Sequence, residues 1–324
     1  KRLNVSRNLP ISIIMSDING LKLTNDAFGH AAGDALLRRV AKILRTECRM
    51  DDIIARMGGD EFVILLPRTE AGQTAEMVQR IQWAIQAENI KGNHIRRYPF
   101  VISLSFGWDT KSSEDEDINA VFKRAEDHMY RNKLEESSLM RIETLKLIMN
   151  TLHEKDEREE LNAYKIGQIC EAIGQELNLS VESIRELQTL SSIHDIGKVI
   201  LDSAILNREG KLTEQEWVEV KRHSETGYRI LESMKEFSQL ADIVLAHHER
   251  WDGDGYPKGL KGYEIPLAAR IIALADSYIA MTGLRQYRKT LSKEEAKEEI
   301  SNNAGTQFDP ELARLFTEKI WDKI

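Results

Sequence analysis

The pattern of hydrophobic and polar positions divides the chain into two parts. In the first part, short apolar runs such as ISIIMS at 11–16 and FVILL at 62–66 alternate with amphipathic stretches. Short continuous apolar runs are typical of buried strands, whereas apolar residues that recur every three or four positions are typical of helices. Strands interleaved with helices predict an α/β sandwich built on one sheet.

The second part of the chain has only the helical pattern. From Asn162 onward, stretches such as VESIRELQTLSSIHD and AARIIALADSYIAMTG carry apolar residues at helical spacing, which predicts an all-α domain. The stretch 139–153 contains no Gly or Pro and also has a helical pattern. We therefore predict a first domain at 1–135, a linker helix at 136–157 and a second domain at 158–324.

The linker helix has two interpretations. Its apolar residues follow a 3-4-3 spacing at Ile142, Leu145, Met149 and Leu152, which is how a coiled-coil seam begins. Two heptads are too few to distinguish a seam between two chains from a helix that packs against its own domains. Both alternatives stay open at this point.

Length and composition narrow the class of protein. The chain has 324 residues, of which 41% are hydrophobic and 30% charged, as expected of a globular protein with about two domains. No apolar run approaches the roughly 20 residues needed to cross a bilayer. The net charge of −8 argues against a broad nucleic-acid-binding surface, and two cysteines make no disulfide framework. We expect a cytoplasmic protein with no nucleic-acid polymer as partner and no membrane contact in this part of the chain.

The densest group of chemically active side chains in the helical part reads AHHERWDGDGYP, at 246–257. Successive helical residues diverge by roughly 100°, so one helix end can offer the imidazoles of His247 and His248 to two neighbouring metal ions. A histidine pair by itself is more often a semi-buried structural feature. Further candidate ligands favour a metal centre, namely His194, Asp195, His223 and Asp276. These ligand types suit Fe, Mn or Zn, and a bridging carboxylate such as Asp195 would let two ions activate one water.

The first part of the chain carries a second group of carboxylates. Asp17 follows a predicted strand, and Asp60 and Glu61 follow the Gly58-Gly59 turn of a predicted hairpin. If the two strands are neighbours, the three carboxylates meet at one sheet edge and repel one another unless a divalent cation is present. The glycines leave room for a base or phosphate to approach the backbone. The alternative is a hairpin turn with solvated acids.

The stretches DINGLKLTNDAFGHAAGD and ARMGGDEF resemble the GGDEF family of diguanylate cyclases, over about residues 8–135. The resemblance implies that GTP is the substrate, and that Mg²⁺ is held by Asp17, the Ile18 carbonyl and Asp60. It implies a catalytic role for Glu61. The implied GTP-binding residues are Lys22, Asn25, Asp34, Gly58, Gly59 and Lys133, and Arg49 with Asp52 would form an inhibitory cyclic di-GMP site. Because one GTP comes from each of two facing domains, the family also implies a homodimer.

The motifs HDIGK and HHERWDGDGYP, with His223, Asp276 and RQYRK, closely resemble the HD-GYP family. That family comprises all-helical phosphodiesterases that hydrolyse cyclic di-GMP to pGpG or GMP with two or three metal ions, for which Fe or Mn is expected here. The implied metal ligands are His194, Asp195, His223, His247, His248 and Asp276. Asp195 and Lys198 would be catalytic, with Lys198 holding a substrate phosphate. Tyr256, Arg285 and Arg288 would contact the dinucleotide.

The chain departs from both family patterns at named positions. Asn162 stands where relatives of the second domain carry a ligand histidine, and Ile279 replaces a common acid. In the first domain Asn19 replaces a frequent aspartate, and the segment before the first strand is reduced, from which we expect a missing upstream sensory domain. Two hypotheses follow. In the first, the chain is an enzyme that both makes and hydrolyses cyclic di-GMP. In the second, one of the two domains, and the HD-GYP-like domain rather than the GGDEF-like domain because of Asn162, is a weakly catalytic regulatory module that binds nucleotide.

Overall fold

The computed structural model describes residues 5–94, 100–156, 158–208, 210–283 and 290–323. The chain divides into two compact units, Lys1–Leu147 and Ile148–Ile324. Within the described ranges, no helix has the length and apolar character that a membrane span requires. The predicted substrate residues Arg285 and Arg288 lie outside the described residues.

The first unit is an α/β sandwich on a four-stranded antiparallel sheet of order β2-β3-β1-β4. Its elements are β1 (Ile11–Ile18), α1 (Leu21–Phe28), α2 (His30–Glu47), β2 (Ile53–Gly58), β3 (Glu61–Pro67), α3 (Ala71–His94), β4 (Leu104–Lys111) and α4 (Ile118–Lys155), the last running on into the second unit. Every residue of β1 is buried. Ile13 and Met15 pack with α4, whereas Ile14 packs in a cluster with α2 and α3. Helices on both faces therefore explain why this strand is a continuous apolar run.

The second unit is helical. Its helices are α5 (Arg158–Glu176), α6 (Val181–Ile193), α7 (Ser203–Leu206), α8 (Glu214–Glu232), α9 (Ser238–Ala246), α10 (Leu267–Thr282), α11 (Lys293–Asn302) and α12 (Pro310–Leu315), with a 3₁₀ turn at Ile196–Ile200. In its described part the only β pairing outside the helices is a single bridge between Ala304 and Phe308. The α/β and all-α patterns of the sequence are thus confirmed.

The single helix α4 covers nearly all of the predicted linker. Of the four residues at seam spacing, Leu145 and Leu152 are 8% and 1% exposed within this one chain. Burial within the chain supports the second interpretation of the linker, a helix that packs against its own domains, at these two positions.

A buried ion pair joins the helices behind the 246–257 segment. Asp309 caps α12 by accepting hydrogen bonds from the amides of Glu311 and Leu312, and its Oδ2 lies 2.5 Å from Nη1 of Arg270 on α10. The Arg270 guanidinium also lies 5.8 Å from the ring centroid of Trp251 and 5.2 Å from that of Tyr263. One arginine therefore connects α10, α12 and the segment that carries the histidine pair.

We predict that Asp309→Ala lowers the free energy of unfolding of the second unit by about 3–5 kcal/mol, because it leaves a buried guanidinium without its counter-charge. Asp309→Asn should cost less, since asparagine still caps the helix. Denaturant unfolding followed by circular dichroism measures both. Glu176→Gln is the matched control, because its lysine partners Lys319 and Lys323 are 55% and 60% exposed. A loss for Asp309→Ala no greater than that of the control would contradict the prediction.

Candidate metal centres

The pairing of β1 with β3 brings the first group of carboxylates together. Asp17 lies opposite Glu61 in the antiparallel register, and the Ile18 amide donates a 3.0 Å hydrogen bond to the Asp60 carbonyl. Gly59 has a φ of +48°, a conformation that favours glycine and turns the chain between the two strands. The three predicted carboxylates therefore meet at one sheet edge.

Asp17 is the buried member of this group. Its Oδ2 lies 2.7 Å from Nζ of Lys133 on α4, while its Oδ1 is buried without a hydrogen-bond partner. Burial raises the pKa of Asp17 above its ordinary value, and nearby Asp60 adds to the rise, although the contact with Lys133 opposes it. A buried carboxylate oxygen without a partner, beside further carboxylates, fits a divalent cation such as Mg²⁺.

Two of the implied GTP-binding residues, Asn25 and Asp34, lie on α1 and α2. Asn25 on α1 packs so closely against Gly33 on α2 that a Cβ on Gly33 would come within 1.9 Å of the Asn25 amide oxygen. Asp34 is the next residue and is exposed. Gly33 thus leaves the space that the Asn25 side chain occupies. Lys22 is exposed in the first turn of α1.

Arg49 and Asp52 form a tight turn ahead of β2. The Asp52 carboxylate accepts a 2.7 Å hydrogen bond from the Arg49 amide, and the Asp52 amide donates to the Arg49 carbonyl at 3.2 Å. The Arg49 residue is exposed. The carboxylate of the predicted inhibitory pair therefore stabilises its own turn.

In the second unit, backbone carbonyls of three helices hold three imidazoles in one orientation. Nδ1 of His194, His223 and His247 each lies within hydrogen-bond distance of the carbonyl three residues earlier, on Ser191, Val220 and Val244. A carbonyl only accepts, so in the neutral imidazole Nδ1 carries the proton and Nε2 carries the lone pair. This arrangement is the one that metal-ligating histidines commonly show.

The lone pairs converge on Asp195. Nε2 of His223 lies 3.3 Å from Nε2 of His247, and Oδ1 of Asp195 lies 3.3 Å and 3.7 Å from these two atoms. Oδ1 of Asp195 is buried and makes no hydrogen bond, whereas Nε2 of His194 lies 3.2 Å from Oδ2 of the same carboxylate. Acceptors that face acceptors in a buried space repel one another, and a cation at their centre removes the repulsion. The residues therefore fit a metal ion.

Two ligand groups share Asp195. The first consists of Asp195, His223, His247 and His248, and the second of His194, Asp195 and Asp276, with the ligand atoms of each group within 4.8 Å of one another. Side chains from α8, α10 and the ends of α6 and α9 thus meet at one carboxylate. All six ligands expected from the sequence lie in these groups.

Protonation differs between the two groups. Burial lowers the pKa of His223 to about 3, more than Asp195 can offset, and burial beside other imidazoles holds the pKa of His248 well below its ordinary value. For His194 burial also opposes the charged form, but the carboxylates of Asp195 and Asp276 outweigh it and raise its pKa to about 9. At neutral pH and without metal, His223 is therefore neutral and His194 carries a proton.

Two glycines allow the backbone to approach closely enough to form the centre. A Cβ on Gly197 would lie 1.9 Å from the His223 carbonyl oxygen, so glycine is required where the 3₁₀ turn packs on α8. A Cβ on Gly255 would lie 2.3 Å from the Arg250 amide nitrogen. Both positions belong to the quoted motifs, HDIGK and GYP.

Glu159 is a residue of this centre that sequence reasoning missed. Its Oε1 lies 2.8 Å from Nζ of Lys198, which also lies 2.6 Å from Oδ2 of Asp195. Burial raises the pKa of Glu159, although Lys198 opposes the rise. The available signal was its position three residues before Asn162, on one face of α5.

A cavity of about 1130 Å³ opens beside Lys198. Glu159 and Asn162 of α5, Trp217 of α8 and Ile279 of α10 are among its lining residues. The ring of Tyr256 lies 4.9 Å from that of His248. The predicted phosphate-binding lysine thus lies between the ligand groups and a cavity large enough for a nucleotide.

Two protein-family models match the chain. The model described as "Diguanylate cyclase, GGDEF domain" matches residues 1–138, and the model described as "HD domain" matches residues 146–312, more than half of the chain. The chain belongs to the HD domain family and carries a GGDEF domain in tandem. The expected α/β and all-α fold classes are thereby confirmed for the GGDEF and HD domains.

Curated relatives of the chain include phosphodiesterases. A cyclic di-GMP phosphodiesterase of Thermotoga maritima is 40% identical over 172 residues, which are 52% of this chain and 47% of the relative. The 3'3'-cGAMP-specific phosphodiesterase 2 of Vibrio cholerae is 33% identical over 178 residues, 54% of this chain and 34% of the relative. The chain therefore spans less than half the length of either relative.

Among solved structures, the chain resembles the GGDEF domain of DgcB from Caulobacter crescentus in complex with c-di-GMP. The two are 27% identical in sequence with a TM-score of 0.36, and the match covers 39% of this chain and 74% of that chain.

We predict that Mn²⁺ binding to the metal-free HD domain releases about one proton per chain at neutral pH, because His194 must lose its proton to become a ligand. Calorimetric titration in buffers of different ionisation enthalpy measures the release. As the pH falls below 9, the affinity should weaken because the proton competes.

Two asparagine variants separate the contribution of His194 to the proton release from that of His223. His194→Asn should abolish the proton release, whereas His223→Asn should weaken binding and leave the release unchanged, since His223 is already neutral. Equal release from wild type and His194→Asn would contradict the assignment of the proton to His194.

Proposed function

We propose that the chain is a cyclic di-GMP signalling enzyme whose GGDEF domain condenses two GTP to cyclic di-GMP and whose HD domain hydrolyses cyclic di-GMP to pGpG or GMP. The observation that carries the proposal is the convergence of imidazole lone pairs on Asp195, directly beside a lysine-lined cavity of nucleotide size. The named phosphodiesterase relatives support the same chemistry for the HD domain.

In the HD domain the ligand groups around Asp195 would hold two divalent transition metals, for which we propose iron or manganese. Such ions supply Lewis acidity and activated water to phosphodiester hydrolysis. The Lys198 ammonium would hold a substrate phosphate at the edge of the cavity, a role that its position between Asp195 and Glu159 supports. Tyr256, whose ring stacks beside His248, would contact the dinucleotide, as would Arg285 and Arg288.

In the GGDEF domain Asp17, the Ile18 carbonyl and Asp60 would hold Mg²⁺, and Glu61 would activate the attacking hydroxyl. Lys133 contacts Asp17, and its ammonium would move from this carboxylate to the GTP phosphates when GTP binds. Lys22, Gly58 and Gly59 would complete the phosphate-binding site. Asn25 and Asp34 would read the guanine edge, because an amide offers donor and acceptor and a carboxylate accepts two N–H groups.

Three further parts of the proposal follow from the same chemistry. Arg49 and Asp52 would bind cyclic di-GMP as an inhibitor, since an exposed guanidinium suits both phosphate and guanine. Condensation of two GTP requires two GGDEF active sites, so we propose a homodimer. Because the proposed ligands are GTP and cyclic di-GMP, we propose that the protein is cytoplasmic.

The protein reconstituted with Mn²⁺ or, without oxygen, with Fe²⁺ should hydrolyse cyclic di-GMP, as measured by chromatography of the products. His247→Ala should lower the rate at least a hundredfold, because it removes one ligand of the Asp195 group. Asn162→His adds an imidazole at the cavity wall and should raise the bound metal per chain, measured by elemental analysis.

Parallel incubation with 3'3'-cGAMP decides between the substrate classes of the two named relatives. Cleavage of 3'3'-cGAMP alone would contradict the proposed substrate, and equal rates for wild type and His247→Ala would contradict the proposed centre. Unchanged metal content in Asn162→His would contradict the prediction, because it would show that the ligand groups are already complete without a histidine at position 162.

We also predict that Gly33→Ala weakens GTP binding to the GGDEF domain by roughly tenfold or more, because the new methyl group displaces the Asn25 amide. Helix stability should not fall, since alanine is the better helix former. Calorimetry measures the affinity and thermal unfolding the stability. Gly72→Ala is the matched control, because a Cβ there meets nothing within 4 Å. Equal GTP affinity for the two variants would remove Asn25 from the guanine site.

A further inference from the structure

An exposed indole lines the HD-domain cavity. Trp217 lies near the start of α8 with 46% of its surface exposed, and Val220, one turn further along the same face, lines the cavity with it. Trp217 belongs to none of the ligand groups and to none of the quoted motifs. A large apolar ring left open to a cavity suits a flat ligand that can cover it.

A series of rings connects this indole to the metal ligands. The rings of His248 and Tyr256 have centroids 4.9 Å apart, and those of Tyr256 and Trp217 are 6.4 Å apart in a T-shaped contact at 79°. Lys221, one turn after Trp217, lies 5.9 Å from the Tyr256 ring centroid. The contact with Tyr256 orients the indole while leaving nearly half of it uncovered.

The same cavity is also lined by polar groups that suit a nucleotide. Lys198 is close to Asp195, and Asn162 and Lys165 line the cavity from α5. A phosphate near Lys198 and a base against Trp217 would therefore occupy one continuous space. Burial of Trp217 against a helix would instead indicate a packing role, and its exposure argues against that.

We propose that Trp217 is the stacking platform for a purine base of the nucleotide whose phosphate lies at the metal centre. The inference rests on the proposed phosphodiester chemistry and adds where the base binds. Stacking on an aromatic ring depends on the flat face of the base and not on its hydrogen-bonding edge. Trp217 therefore sets affinity for nucleobases as a class and leaves the choice of base to polar groups.

The test compares two ligands that differ only by the base, guanosine 5'-monophosphate and ribose 5-phosphate, binding to the Mn²⁺-loaded full chain. All proteins carry Asn25→Ala and Asp34→Ala, so that the GGDEF domain does not take up the nucleotide. Trp217→Ala should weaken binding of guanosine 5'-monophosphate about 5- to 150-fold. Trp217→Phe should restore most of the affinity, and binding of ribose 5-phosphate should stay unchanged.

Trp83→Ala is the matched control, because Trp83 is 61% exposed on α3 of the other unit. Equal weakening of both ligands by Trp217→Ala would assign the residue a structural role and overturn the proposal, as would no weakening of either. Because neither ligand contains a phosphodiester, the result does not depend on hydrolysis of cyclic di-GMP. Failure of the proposed enzyme activity and failure of the stacking platform are therefore separate outcomes.

Discussion

The HD domain depends on one electrostatic constraint, the burial of several hydrogen-bond acceptors around Asp195. Carbonyls of the helices that carry them hold Nδ1 of His223 and His247, so that their lone pairs point inward, where they meet a carboxylate and each other. Water does not solvate these acceptors, because His223, His247 and Asp195 are buried. The tertiary structure maintains this repulsion, and the chemistry that uses such an arrangement is the binding of cations.

The two domains, which have unrelated folds, share one electrostatic feature at their candidate metal centres. In each, the central carboxylate is buried and a lysine ammonium compensates it: Lys133 lies 2.7 Å from Asp17, and Lys198 lies 2.6 Å from Asp195. A lysine is well suited to this position because its single charge stabilises the carboxylate without metal, while its flexible stem lets the ammonium move to a phosphate when a divalent ion binds. The same side chain can thus serve the metal-free protein and substrate binding.

Close backbone packing explains several glycine positions in the motifs that the chemistry of the side chains does not explain. Gly197 lies against the His223 carbonyl, Gly255 against the Arg250 amide, and Gly33 against the Asn25 side chain. None of these glycines has a functional group. Each one allows two segments, or a segment and a side chain, to come closer than any Cβ would permit, so the glycines determine the positions of ligands elsewhere.

The sequence by itself determined the two fold classes, the helices that carry the histidines and the set of candidate ligands, because hydrophobic periodicity and motif spacing are local properties. It left open which ligands share an ion, whether the linker seam is free and what surrounds the phosphate-binding lysine. Those depend on contacts between distant residues: Asp195 with His223 and His247, Glu159 with Lys198, and Tyr256 with Trp217. Neither Glu159 nor Trp217 was among the site residues expected from the sequence, and only the packing of α5 and α8 around one cavity brought them to the site.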